Sequence, residues 1–148
     1  MSFEKTLVMI KPDALSEANA GRIISGFEDA GFRIMGARMI KLSLTQAQEF
    51  YSEHREKDFY GELTEFITSN PMIALAVGGE SAVTGVRRLM GSTDPAEADE
   101  GTLRKKYALS KRFNAVHGSD SPTSARRELE FFFPGGDGIF NWDKREYR

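Results

Sequence analysis

Between Asn114 and Ser121 the chain reads Asn-Ala-Val-His-Gly-Ser-Asp-Ser, and few backbone paths suit that order of residues. Asn114, Val116 and Gly118 alternate with Ala115 and His117, the period of a short strand that leaves His117 on one face. Gly118 then permits a tight change of direction. Ser121-Pro122 follows as an N-cap and a proline in the first helical turn, where a missing N–H costs nothing. His117 is therefore expected at a strand end just before a helix N-terminus, where unpaired N–H groups and the helix dipole favour an anion. A histidine at such a corner is either a nucleophile or acid–base group, or a turn residue satisfied by hydrogen bonds. The octapeptide alone leaves both readings open. Further on comes Glu128, and positions 121, 125 and 128 share one helix face. A carboxylate there would hold one ring nitrogen and leave the other free to attack.

The 148 residues are expected to form one domain, 1–148, large enough to bury a core without metals or disulfides. The absence of cysteine removes a disulfide framework and any thiolate zinc site. His54 and His117 are the only two histidines, which removes a multi-histidine metal cluster. Before Lys11-Pro12 the apolar run is too short for a signal peptide, and no run has the length of a membrane span. A cytoplasmic protein without a membrane segment is expected. A net charge of −2 gives no general attraction for polyanions, and no dedicated nucleic-acid site is evident. Basic residues do cluster at Arg87-Arg88, Arg104-Lys105-Lys106, Lys111-Arg112 and Arg126-Arg127. Such groups are either solvated surface or several arginines converging on one phosphate.

Thr6 to Ile10 is a continuous apolar run, the pattern of a strand covered on both faces, and Lys11-Pro12-Asp13 ends it. Ile23, Ile24, Phe27 and Ala30 recur at helical spacing, with Gly31 just past the end. Phe32 to Leu42 predicts a long strand whose alternation slips near Gly36, as at a bulge. Thr45 to Gln48 fits a capping box opening a helix through Phe50 and Tyr51. Phe59, Leu63, Phe66 and Ile67 form another helix face, with Phe66 and Ile67 expected in the core. Met72 to Val77 predicts a buried strand closed by Gly78-Gly79. Ala82 to Met90 follows as a helix ending at Gly91, with Arg87 off its apolar stripe. Residues 91–101 carry no periodicity and predict a functional or mobile loop. The helix after Ser121 turns Ala125, Leu129 and Phe132 inward and stops at Pro134. Beyond it, Phe140 and Trp142 are expected as lone apolar anchors of a tail. This order suggests an α+β sandwich of helices on one mainly antiparallel sheet.

The octapeptide resembles the active-site signature of the nucleoside diphosphate kinase family. Further matching blocks are Val8-Met9-Ile10-Lys11-Pro12-Asp13, Asn70-Pro71, Arg87 to Pro95 and Gly101-Thr102-Leu103-Arg104, in order, over roughly Lys5 to Phe133. The resemblance implies a ferredoxin-like βαββαβ core with a four-stranded antiparallel sheet, over about 5–133, and a tail at 134–148. It also implies transfer of the γ-phosphoryl group of ATP or another nucleoside triphosphate to a nucleoside diphosphate, through a phosphohistidine on His117.

Residue by residue, the family pattern makes Glu128 the group that orients His117, with Ser119 holding Glu128. Lys11 and Tyr51 fall at positions around the transferred group. Arg87, Thr93 and Arg104 match the phosphate ligands, with His54 nearby and Lys11 also reaching in, and Asn114 with Lys11 matches contacts to the sugar hydroxyls and the oxygen between phosphates. Phe59 matches the aromatic on which the base stacks, with Leu63 beside it. Magnesium is the implied cofactor, bridging phosphate oxygens, with Asp120 reaching its water shell. The partners implied are ATP/ADP, GTP/GDP and their deoxy forms, and further copies of the chain in a hexamer or tetramer. No Gly-x-x-x-x-Gly-Lys-Ser/Thr segment and no D-F-G element is present, so side chains must hold the phosphates. The chain departs from the family at Asp58, often proline, and at Arg112-Phe113, where many members have Gly-Arg. Two rival readings of the same site are a nucleotide- or nucleic-acid-binding scaffold without turnover, and a phosphohydrolase using water as acceptor.

Overall fold

Strand β1, Phe3–Ile10, runs through the middle of the sheet in the computed structural model, which describes residues 2–142. Its run of apolar side chains is needed on both sides. Leu7 and Met9 enter one core with Phe50, Ile67, Met72 and Phe132; Val8 and Ile10 enter the other with Ile23, Phe27, Val86 and Val116. All four β1 side chains are fully buried. At about 1.5–3 kcal/mol for each large apolar side chain, this two-sided burial is what fixes β1 as the central strand.

After β1 come helices α1, Pro12–Ser16, and α2, Ala20–Asp29, then strand β2, Arg33–Ile40. Helices α3, Leu44–Phe50, and α4, Tyr60–Ile67, lead to strand β3, Met72–Glu80, and helix α5, Ala82–Met90. Helix α6, Leu103–Tyr107, strand β4, Val116–Gly118, and helix α7, Pro122–Phe132, complete the order. The strands lie β2-β3-β1-β4, every pairing antiparallel. This is the ferredoxin-like α+β arrangement.

Several local expectations are corrected. The capping box lies two residues earlier, where Ser43 Oγ accepts from Gln46 N and Gln46 Oε1 accepts from Ser43 N. Strand β3 does not stop at Gly78-Gly79 but runs through to Glu80. The bare glycines there leave room for Met35, Phe3 and Phe32 to cross the sheet face. Helices α1 and α6 have no counterpart in the sequence reading. Phe66 is half-buried rather than core, and stands edge-on to Phe113 at 4.9 Å. The Phe140 ring is 69 % exposed among the described residues rather than packed as an apolar anchor; its backbone N–H donates to Met35 O. Trp142 does anchor the chain, since its indole N–H donates to Ile34 O at 3.0 Å. Residues 143–148, the charged end of the expected tail, lie outside the described residues.

The predicted bulge is present. Ile34 pairs with Val77 but Gly36 with Ala76, so Met35 is the extra residue. No described helix is long and apolar enough to cross a membrane.

Candidate active site

Three pairings at the sheet edge set the position of the histidine: Val8 with Gly118, Met9 with His117, and Ile10 with Val116. Because His117 faces Met9, its ring emerges on the same side as Phe50, 5.9 Å away and edge-on. The approach to this strand is pinned by the end of β1. Lys11 N donates to Ala115 O at 2.9 Å, and Ala115 N donates to Asp13 Oδ2 at 3.0 Å. These bonds hold Ala115 at φ +73°, a left-handed backbone that alanine rarely adopts. Burial raises the Asp13 carboxyl above the usual range, against the lowering effect of the Ala115 N–H and Lys11.

On the other side of the strand, Ser121 Oγ caps α7 by accepting from Ser124 N, with Pro122 in the first turn. The helix carries Glu128 back to the strand. Glu128 Oε1 lies 2.8 Å from His117 Nε2 and accepts from Ser119 Oγ, also at 2.8 Å. Glu128 is 5 % exposed and Ser119 fully buried, so this pair is the ring's inner support. A carboxylate only accepts, so it takes the proton on Nε2 and leaves the lone pair on Nδ1.

Lys11, Tyr51, His54, Leu63, Arg87, Thr93, Arg104, Asn114, His117, Asp120 and Glu128 line one cavity of about 250 Å³. A larger groove of about 750 Å³ lies between β2, α3 and α7, but His117 and Lys11 are not in it. The smaller cavity is the candidate because the titratable groups converge there. Lys11 Nζ donates to Asn114 Oδ1 at 2.9 Å, and Asn114 Nδ2 donates to Thr93 O at 3.3 Å. Arg104 donates to Gly91 O and Val116 O, at 3.0 and 2.9 Å, while Arg87 Nη1 donates to Gly118 O at 3.0 Å. Burial, with Arg104 close by, lowers the Lys11 ammonium to about 8. Burial and the Arg87 charge lower Arg104 to about 10. Burial raises the Tyr51 phenol, and Glu128 adds to the effect. Asp120 is held below the usual carboxylate range, chiefly by the Ser124 hydroxyl. Buried cations short of counter-charge make a site that attracts an anion.

Two of the expected residues stand apart from the lining. Ser119 lies behind Glu128, its Oγ also accepting from Leu7 N at 3.4 Å. Phe59 sits at the mouth, 43 % exposed, its ring 5.9 Å from that of His54. His54 Nδ1 is buried with no hydrogen-bond partner among the described residues. The sequence reading missed Asp13, Phe50, Glu53 and Arg127. Arg127 reaches Glu128 Oε2 at 3.5 Å and Glu53 Oε1 at 3.3 Å, and lies over the Phe50 ring at 5.6 Å. The available signal was the basic pair Arg126-Arg127 immediately before Glu128.

The family model described as nucleoside diphosphate kinase matches residues 4–137. A nucleoside diphosphate kinase of Paracoccus denitrificans is 53 % identical over 135 residues, covering 91 % of this chain and 96 % of that protein. One from Persephonella marina is 47 % identical over 133 residues, covering 90 % and 95 %. Among solved structures, the nucleoside diphosphate kinase of Aquifex aeolicus superposes with a TM-score of 0.91 at 38 % identity, covering 93 % of this chain and all of that one. A family protein from Babesia bovis gives 0.90 at 31 % identity, covering 95 % of each. With the His117–Glu128 pair at the heart of a cationic cavity, and likeness over nine-tenths of its length, the chain belongs to the nucleoside diphosphate kinase family.

Proposed function

We propose that this cavity moves the γ-phosphoryl group of a nucleoside triphosphate to a nucleoside diphosphate in two half-reactions on His117. In the first, the Nδ1 lone pair attacks the γ-phosphorus in line. The N–P bond forms as the bond from phosphorus to the β,γ-bridging oxygen breaks, and the diphosphate leaves with that electron pair. In the second, a terminal oxygen of another nucleoside diphosphate attacks the same phosphorus and Nδ1 departs. Water as acceptor would make the site a phosphohydrolase instead. The observation that carries the reading is Glu128 Oε1 at 2.8 Å from Nε2, itself held by Ser119. That contact orients the ring and stabilises the positive charge it gains on phosphorylation.

Arg87, Arg104, Thr93 and His54 are the proposed phosphate ligands, with Lys11 and Asn114 towards the sugar and Lys11 and Tyr51 around the transferred group. Each charge-assisted hydrogen bond contributes roughly 1.5–3 kcal/mol, so a few suffice for a substrate bound at micromolar to millimolar concentration. Phe59 and Leu63 offer an apolar face to any base, which fits acceptance of ATP, GTP and deoxy substrates alike. Among the described residues no three His, Asp or Glu side chains are grouped to hold a metal. The donors fit a magnesium ion carried on the substrate's phosphates, with the ionised Asp120 lining the cavity beside them. Bound there, such an ion would supply neutralisation of the phosphate charge that Lys11, Arg87 and Arg104 face from the protein side.

The same reading treats residues 1–148 as one domain and the chain as a cytoplasmic homo-oligomer, hexameric or tetrameric. Its support for assembly is the family resemblance set out above, which implies a hexamer or tetramer. The central test is incubation with γ-labelled ATP and magnesium. An acid-labile, base-stable label on His117 alone is expected, absent in His117→Ala, and discharged faster by a nucleoside diphosphate than by water. An acid-stable label, or one that survives His117→Ala, would overturn the phosphohistidine.

A further inference from the structure

The wall that offers Phe59 and Leu63 to the cavity is helix α4, which packs Tyr60, Leu63 and Ile67 against the core and meets the phosphate end of the site across Glu62 and Phe66. Positions 59, 63 and 67 form one stripe: Phe59 at the mouth, Leu63 in the cavity lining, Ile67 in the core. The neighbouring stripe, Glu62 and Phe66, faces the segment that leads into β4. Glu62 Oε2 pairs with Arg112 Nη1, and the Phe66 ring stands edge-on to Phe113, centroids 4.9 Å apart.

That segment is folded on itself. Leu109 N donates to Phe113 O at 2.9 Å, and Phe113 N donates to Ser110 Oγ at 3.1 Å. Its next residue is Asn114, which accepts from Lys11 Nζ and donates to Thr93 O. One short piece of backbone therefore joins the α4 wall to the residues that gather the phosphates. Of the two clasps, the aromatic one governs. Both partners of the ion pair have more than half of their side chains exposed, so salt screens it and it contributes a factor of about 1.5–5. The aromatic pair is itself part-exposed, with Phe113 38 % open to solvent, but salt does not screen it, and aromatic pairs contribute about 2–10-fold beyond their buried area.

We infer that Phe113, through its edge contact with Phe66, is a positioning residue that sets the distance between the base wall and the phosphate end of the site. Arg112–Glu62 is an auxiliary clasp at the rim. This rests on the phosphoryl-transfer reading above. Loosening the clasp lets α4 drift, so the base is met less often in the right place while the ring of His117 keeps its own support. The signature is a change in nucleotide KM without a matching change at His117.

The test compares Phe113→Ala, Phe66→Ala, the double variant and Phe113→Tyr with the parent enzyme. For the alanine variants, KM for ADP and GDP is expected to rise about 3–10-fold with kcat within about twofold. Hydrolysis of the phosphoenzyme in water, which needs no base, should keep its rate. The double variant should be no worse than the worse single one, because both remove one contact. Phe113→Tyr, which keeps the ring edge, should restore the parent KM. Arg112→Gln should raise KM less than threefold, and only at low salt. KM within twofold in both alanine variants overturns the inference, as does a parallel rise in KM and in phosphoenzyme hydrolysis, which would mark general loosening. If the parent enzyme forms no phosphoenzyme, it is the phosphohistidine reading that fails, and the inference falls with it.

Discussion

Ser119 Oγ donates to Glu128 Oε1, the very oxygen that faces His117 Nε2. Two donors on one carboxylate oxygen fix its plane, and the ring takes its orientation from that. Glu128→Gln should still become labelled, because the nucleophile survives, but on the order of 10²–10⁴ more slowly. Ser119→Ala should slow labelling by about tenfold, the lower end for a hydrogen bond to a charged group. Rapid-quench labelling measures both. A Ser119→Ala enzyme slower than Glu128→Gln would show that Ser119 does more than hold the carboxylate.

Lys11 gives a pH dependence with a definite sign. Its ammonium is lowered from 10.5 to about 8, chiefly by burial. Below pH 8 both folded and unfolded chains carry the charge, and the fold bears the full cost of burying it. Between about 8 and 10.5 the unfolded chain binds more protons, so stability rises with pH; above 10.5 the cost is gone. Lys11→Met should therefore stabilise the fold at pH 7, by up to about 3 kcal/mol, while abolishing most transfer. Denaturant melts at pH 7 and 9.5 test this. In the free enzyme, kcat/KM should fall as pH passes about 8, where the cavity loses a cation.

Phe59 makes no hydrogen bond to distinguish one base from another. Phe59→Ala should raise KM for ADP, GDP, CDP and UDP by a similar factor, from the loss of about 1–3 kcal/mol of stacking. Steady-state kinetics with the four acceptors decide it. A loss confined to one base would contradict base-blind stacking.

Gly36 lies at the bulge of β2, where an added Cβ would come within 2.8 Å of Gly138 O and 3.1 Å of the Phe133 ring. One neighbour is backbone, which cannot rotate away. Gly36→Ala should destabilise by about 1–3 kcal/mol, as overpacking does, with transfer by the folded fraction unchanged. Thermal melts alongside activity assays separate the two effects.

The resemblance to the family predicts self-association. Light scattering at micromolar concentration should give a hexamer or tetramer. A monomer there would sink the idea.

The sequence made some of this legible and not the rest, for physical reasons. The His117–Glu128 contact could be read because both ends obey local rules: strand alternation, an N-cap, and helical spacing. Helix α6 could not, since Leu103–Tyr107 is five residues long and mostly Arg and Lys, too short for any apolar period. The capping box was misplaced because Ser43/Gln46 and Thr45/Gln48 both fit the pattern, and only tertiary packing chooses. Asp13 read as part of a strand-ending turn; its bond to Ala115 N spans 102 residues, and nothing local announces it. Arg127 reads only as one of several basic pairs, surface or phosphate-binding alike, because its partners, Phe50 and Glu53, come from a distant helix and turn.

The pairing order of the sheet has a consequence for how the molecule comes into being. The first strand is its centre, yet both its neighbours arrive late: β3 begins at Met72 and β4 at Val116. Closing such long loops costs chain entropy before the contacts return any stability, so these pairings form late in folding. His117 stands on the last strand and gains its shape only from β1, Asp13 and the helix after it. An emerging or half-refolded chain can hold helices and even the β2–β3 pairing, but no nucleophile in place. Catalysis is thus the last property such a chain acquires, and its recovery reports completion of the whole fold.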